Sequence, residues 1–158
     1  MSVTTSSTVS IPTVPRWISR IVAWLLRSPF HALLSGNMMV LTFTGRKSGR
    51  RFTFPVSYLR QGDGLIMTTH HRWWHNLRDG APVELYLVGS KVIGHADVNT
   101  NHADVAQGIS AILQHIPSNA RYFGIRLDQQ GQPEATDLQR AAEHCVLITI
   151  NLSPSKDA

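Results

Sequence analysis

The chain has a single cysteine, Cys145. No disulfide can form within it, and a reducing, cytoplasmic setting is the natural expectation. No apolar run reaches the roughly 18 residues that a spanning helix needs. Acid is scarce: 10 Asp and Glu stand against 15 Lys and Arg, a net charge of +5 that favours an anionic partner. Zinc-finger spacing, an RNP-type motif and a basic recognition helix are all missing, so nucleic acid is not the expected partner. There is no internal repeat. The first 14 residues, rich in Ser, Thr and Val, lack the basic start of a secretory signal and read as a flexible tail. At 158 residues the chain suits one domain with a real core.

What the chain does have is a basic loop between two strand-like runs. Met38-Met39-Val40-Leu41 leads into Thr42-Phe43-Thr44-Gly45-Arg46-Lys47-Ser48-Gly49-Arg50-Arg51, and Phe52 to Leu59 leads out. Glycines let a backbone turn tightly and approach a ligand. Backbone N–H groups at such a turn, joined by Arg, Lys and the Ser48 hydroxyl, suit a phosphate or carboxylate. A solvated hairpin turn is the competing reading.

Residues 15–36 form a candidate helical segment. Pro15 suits a first helical position. Arg16, Arg20 and Arg27 project onto one stripe, with Ile18, Ile21, Val22, Leu25 and Leu26 opposite and Trp17 and Trp24 at the border. Two readings fit: a helix packed on the domain, or one lying over 15–34 on an anionic membrane surface at the inner face of the membrane.

Beyond the loop, residues 37–152 read as one domain. Phe52–Arg60 is a strand, and Pro55 within it requires an edge or a bulge. Gln61-Gly62-Asp63-Gly64 is a hairpin turn into a strand at Leu65–Thr69. A short helix starts near Trp73 and is stopped by Gly80 and Pro82. Strands at Val83–Val88 and Lys91–Val98 form a second hairpin. Asn99 or Thr100 caps a helix to Ile116, and Pro117-Ser118-Asn119 breaks it. Arg121–Leu127 is open between loop and strand. A helix over Glu134–Glu143 precedes a central strand at Cys145–Leu152, and 153–158 is a tail. Hairpins in series imply antiparallel pairing, so an α+β barrel with outer helices is expected, not a doubly wound sheet.

Several chemical patterns fail. The loop lacks the spacing of a nucleotide P-loop, and Ser48 lacks the glycine of a nucleophile elbow. His71 and His75 have helical zinc spacing but no recognisable third ligand, so no metal is expected. His144 and Cys145, neighbours on an expected strand, would face opposite ways.

The ordered series Leu41-Thr42-Phe43-Thr44-Gly45-Arg46-Lys47-Ser48-Gly49, Pro55, Leu59-Arg60-Gln61-Gly62-Asp63 and Trp73-Trp74-His75-Asn76-Leu77 resembles the deazaflavin (coenzyme F420)-dependent nitroreductase family, over about residues 38–98. Leu26–His31 and Ala120–Gly124 resemble a branch associated with membranes and lipid-like substrates. The resemblance implies a split β-barrel of the FMN-binding, pyridoxamine-phosphate-oxidase type. It assigns the anionic phosphate and tail of F420 to Arg46, Lys47, Ser48 and Gly49. The deazaflavin ring goes to Pro55 and the backbone of Met67, Thr68 and Thr69, backed by Trp74 and Asn76. Two departures stand out: His70-His71-Arg72 replaces a longer loop, and Ser57 stands where nitroimidazole-activating relatives carry a tyrosine.

The activity so implied is hydride transfer from reduced F420 to a small or lipid-like electron-poor acceptor: a quinone, enone, nitro or unsaturated compound. Tyr122 is the candidate proton donor, with His70 and His71 as alternatives of more nearly neutral pKa. The competing expectations are a membrane-associated F420- or lipid-binding protein with little turnover, and an FMN-binding oxidoreductase on the same barrel. A homodimer is compatible with either.

Overall fold

The computed structural model describes residues 37–87 and 90–154. The expected N-terminal tail and amphipathic helix lie outside the described residues, as does the end of the C-terminal tail. Seven strands, β1 (Met38–Thr44), β2 (Arg51–Ser57), β3 (Leu59–Gln61), β4 (Gly64–Thr69), β5 (Ala81–Leu87), β6 (Ser90–Asn99) and β7 (Val146–Leu152), form one sheet in the order β2-β1-β5-β6-β7-β4-β3. Every neighbouring pair is antiparallel. The helices are α1 (His102–His115), α2 (Ala120–Phe123) and α3 (Ala135–His144), and 3₁₀ turns span Arg72–Leu77 and Pro117–Asn119.

The two edge strands of this sheet are consecutive in sequence. The single strand expected over Phe52–Arg60 divides at Tyr58 into β2, which pairs with β1, and β3, which pairs with β4. Chain continuity through one residue therefore brings the two edges together and curls the sheet into a barrel. Tyr58 is 5% exposed, and its N–H donates to the Asn37 carbonyl at 2.9 Å. Away from this joint the closure fails. Among the described residues β3 accompanies β4 only as far as Leu59↔Ile66, so Met67, Thr68 and Thr69 pair with β7 alone, while β2 pairs with β1 alone. The fold is the split β-barrel, and the split is a seam between β2 and β4.

Pro55 sits on the edge strand, as its missing N–H requires. The Gly45 N–H donates to the Arg50 carbonyl at 2.8 Å. By antiparallel alternation from that bond, the Val40↔Pro55 pair is non-hydrogen-bonded and the proline nitrogen faces the open edge. Pro82, expected as a helix stop, lies inside β5. This costs no bond to β1, because β1 accompanies β5 only between Glu84 and Tyr86.

Inward-facing Leu41, Leu65, Met67, Leu85, Ile148 and Ile150 fill the barrel. Val105, Ile109 and Leu113 of α1 join Ala141, Ala142 and Cys145 in a second cluster, with Leu147 of β7 packed against it. Three local expectations are refined or corrected. The short helix at Trp73 is a 3₁₀ turn. The cap of α1 is Asn101, whose Oδ1 accepts from the Asp104 N–H at 3.1 Å. Asn99 is instead engaged with Asn101 and Asp104. His144 and Cys145 end α3 rather than start a strand.

Candidate functional site

The loop joining β1 to β2 is folded on itself. Beyond the Gly45–Arg50 bond, the Gly49 N–H donates to the Gly45 carbonyl at 2.9 Å, with Gly49 in the left-handed region at φ 65°. Ser48 Oγ accepts from the Arg50 N–H at 3.2 Å, which leaves the hydroxyl proton free to donate. Lys47 and Arg50 are exposed and have no acidic partner among the described residues. Arg51 is used elsewhere: its Nη2 contacts Glu84 Oε2 at 2.6 Å, and Lys91 shares the same oxygen at 3.3 Å.

Arg46 binds its own protein. Its N–H donates to Asn76 Oδ1 at 2.9 Å, and Nη2 donates to the Arg78 carbonyl at 2.6 Å and to Asp79 Oδ2 at 3.0 Å. Asn76 also donates from Nδ2 to the Trp73 carbonyl at 2.9 Å. Both ends of that amide are thus committed, and the 3₁₀ turn is fixed to the loop. Trp73 turns inward, with ring centroids 5.6 Å from Phe43 and 4.9 Å from Phe54. Trp74 also packs half-buried against the core, stacked at 3.7 Å on His75 with the Arg78 guanidinium 5.8 Å from its ring.

Across the seam, Met67 is 1% exposed and its side chain belongs to the core. What β4 offers there is backbone. Gln61↔Gly64 closes the two-residue turn Gly62-Asp63, so the peptide groups of Gly64 and Ile66 face β3. By the same alternation those of Thr68 face the seam, beyond the reach of β3. Thr69 Oγ1 accepts from the His71 N–H at 3.1 Å, and the rings of His70 and His71 lie 4.0 Å apart at the end of β4.

Tyr122 is 68% exposed on α2. Arg121 stacks on it at 5.1 Å and donates from Nη2 to the phenol oxygen at 3.3 Å. Asn119, just before α2, donates to Ser57 Oγ at 3.2 Å. Tyr122 therefore belongs to the Ser57 end of β2, whereas the basic loop leaves from the Arg51 end, roughly 20 Å away at ~3.3 Å per residue. Pro55 lies between. Among the described residues no hydrogen bond joins Tyr122 to His70 or His71.

The structure thus joins Arg46 to Asn76, and Thr69 to His71. It puts Lys47, Ser48 and Gly49 on the loop at the Arg51 end of β2, Pro55 on that edge strand and Thr68 on the unpaired part of β4, and it packs Trp74, like Trp73, half-buried against the barrel core. Sequence reasoning missed Asp79. The one local signal for Asp79 was its place before Gly80, since paired left-handed residues mark a turn. Two concave surfaces lie elsewhere, one beside Gln61, Gly64 and Asn151, the other between α1 and α3 at Ala103, Ala106 and Leu138. Burial pushes the Cys145 thiol above its ordinary pKa, which lowers its thiolate fraction. No cluster of three or more metal-ligating side chains occurs among the described residues, and no helix there is long and apolar enough to cross a membrane.

No protein-family model matches the sequence, and no curated protein matches it. Likeness is found among solved structures. A candidate 5-nitroimidazole antibiotic resistance protein from Bacteroides thetaiotaomicron is 12% identical with a TM-score of 0.52, the match covering 89% of this chain and 81% of that one. A conserved hypothetical protein from Mycobacterium tuberculosis is 14% identical with a TM-score of 0.52, covering 92% and 84%. An FAD-binding protein from Mesorhizobium loti is 11% identical with a TM-score of 0.50, covering 77% and 84%. At such identities the likeness establishes the fold.

Proposed function

We propose that this chain is an oxidoreductase that uses reduced coenzyme F420 to reduce an electron-poor acceptor such as a quinone, enone, nitro or unsaturated lipid-like compound. One observation carries the reading. Two cations without an acidic partner among the described residues, Lys47 and Arg50, stand on a self-bonded glycine loop at one end of a seam whose walls are open strand edges. A deazaflavin with a phosphate and a polyanionic tail matches that donor set: charge for the loop, and hydrogen-bonding ring edges for unpaired backbone. A flavin-type ring is further favoured by the fold, since one protein sharing it is described as FAD-binding.

Bound reduced F420 supplies a hydride, the part of the chemistry that no side chain here provides. The chain supplies the rest. Lys47, Arg50, the Ser48 hydroxyl and the loop amides hold negative charge. Arg46 and Asn76 keep that loop against the 3₁₀ turn. Pro55 borders the seam without presenting an N–H, and the Thr68 peptide presents one. A proton must reach the reduced acceptor. Tyr122 holds one on Oη, whose lone pair already accepts from Arg121, and its exposure lets an acceptor approach from solvent; His70 and His71 are the alternative donors.

Fluorescence titration of the purified chain with F420, beside FMN, tests this. Tight F420 binding that falls more than tenfold in a Lys47→Ala/Arg50→Ala variant is expected. Binding of FMN alone would move the chain to flavin chemistry. Equal F420 affinity in the double variant would remove the loop from the cofactor site.

A further inference from the structure

Asp79 does something that the turn holding it does not require. It is the single non-glycine residue at positive φ among the described residues, at 63°, followed by Gly80 at 68°. A glycine at position 79 would make the same turn without the clash that a Cβ brings there. Nor is the carboxylate needed to hold the two segments together. Asn76 already fixes the Arg46 amide, and Asp97 Oδ1 accepts from the Gly80 N–H at 3.2 Å. The Arg46–Asp79 ion pair is open to water, with the two side chains 41% and 79% exposed. Pairs of that kind contribute little to folding.

What the carboxylate does is neutralise one cation of the loop. Arg46 Nη2 spends its hydrogens on the Arg78 carbonyl and on Asp79, while Lys47 and Arg50 beside it have no acidic partner among the described residues. An anion entering the loop meets two cations without an acidic partner among the described residues and a third whose Nη2 is already engaged. We propose that Asp79 is a built-in competitor for Arg46: its carboxylate holds the guanidinium when the loop is empty and gives it up when an anionic ligand binds. The energy of that exchange is subtracted from the binding of any anion that draws on Arg46, so the loop holds such an anion a few-fold more weakly than it would without Asp79. The proposal rests on the reading of the loop as an anion site, and its test keeps the two apart.

The probe is inorganic pyrophosphate, titrated into the full-length protein and followed through the backbone amide signals of Lys47 and Arg50 by NMR. Asp79→Asn and Asp79→Gly both suit the left-handed backbone and both remove the charge. Each is expected to bind pyrophosphate about threefold to fivefold tighter than the parent chain, the most an exposed pair allows. In an Arg46→Gln background the same substitutions should give no gain, because the cation competed for is gone. A gain that persists there would make Asp79 a remote charge and overturn the competition. Weaker binding in either variant would mean that Asp79 orients Arg46, and would equally overturn it. Pyrophosphate that leaves the Lys47 and Arg50 signals of the parent chain unmoved would remove the anion site itself.

Discussion

The Arg46 N–H and Asn76 Oδ1 meet at 2.9 Å, across a sequence separation of 30. This bond ties the loop between β1 and β2 to the 3₁₀ turn after β4, and so ties the cationic end of the seam to the turn that packs Trp73 on the barrel. Asn76→Ala removes the acceptor for Arg46 and the donor for Trp73 together. The expected cost to folding is about 0.5–1.5 kcal/mol. The larger effect falls on the loop: amide exchange at Arg46 should accelerate, and F420 affinity should drop several-fold. Asn76→Asp keeps the acceptor and should recover the Arg46 protection.

Tyr122 is separable from the loop by position, because it stands at the Ser57 end of β2. Tyr122→Phe removes Oη and the contact from Arg121 Nη2 at 3.3 Å. Cofactor affinity should stay within about twofold. If the phenol is the proton source, turnover should fall by about 10²-fold or more, the scale of general acid catalysis. Undiminished turnover in this variant would transfer the role to His70 or His71, to be tested by the same substitution logic at those positions.

How much of this was legible beforehand depends on the range over which each feature is determined. Pro55 announced an edge strand because a missing N–H is a local fact. Gly62-Asp63 announced its two-residue turn for the same reason. Tyr58 announced nothing: no glycine or proline marks the joint, and the strand divides because β1 claims one half and β4 the other. Over Arg121–Leu127 a readable signal was passed over. Gly124, at φ 66°, ends the one-turn helix α2. The loop and its charges were visible as composition. The use of Arg46 was not, since its partners Arg78 and Asp79 lie 32 and 33 residues away.

The close approach of β6 to β7 sets a further expectation. A Cβ on Gly94 would stand 2.8 Å from Ile150 Cγ2 and 2.9 Å from the Asn151 carbonyl oxygen. The second contact is backbone, so the strands themselves must part. Gly94→Ala should destabilise the barrel by about 1–3 kcal/mol. Ile148, wholly buried in the neighbouring core layer, is the matched control: Ile148→Ala leaves a cavity and should cost about 2–5 kcal/mol. Urea unfolding of both variants gives the comparison. A Gly94→Ala chain as stable as the parent would show that the β6–β7 spacing relaxes freely.

The last expectation concerns acid. Asp137 stands in the first turn of α3, 3% exposed, and accepts from Arg126 Nε at 2.9 Å and from the Arg126 N–H at 3.1 Å, with Arg140 Nη1 at 3.3 Å. The Arg126 side-chain bond, then its backbone bond, hold the carboxyl down to about 2, below its ordinary 3.8; burial opposes them, and the charges of Arg126 and Arg140 assist. The group is therefore harder to protonate folded than unfolded. Its contribution to stability is complete above the unfolded value and disappears as pH falls from about 4 through about 2. The bond network it anchors joins the Arg126 segment to the start of α3, a helix whose cap residue Glu134 makes no side-chain cap bond. Asp137→Asn should lower the urea midpoint at neutral pH and leave it nearly level over that acid window, where the parent chain loses stability. A variant that tracked the parent through the whole window would show that other carboxylates carry the acid response.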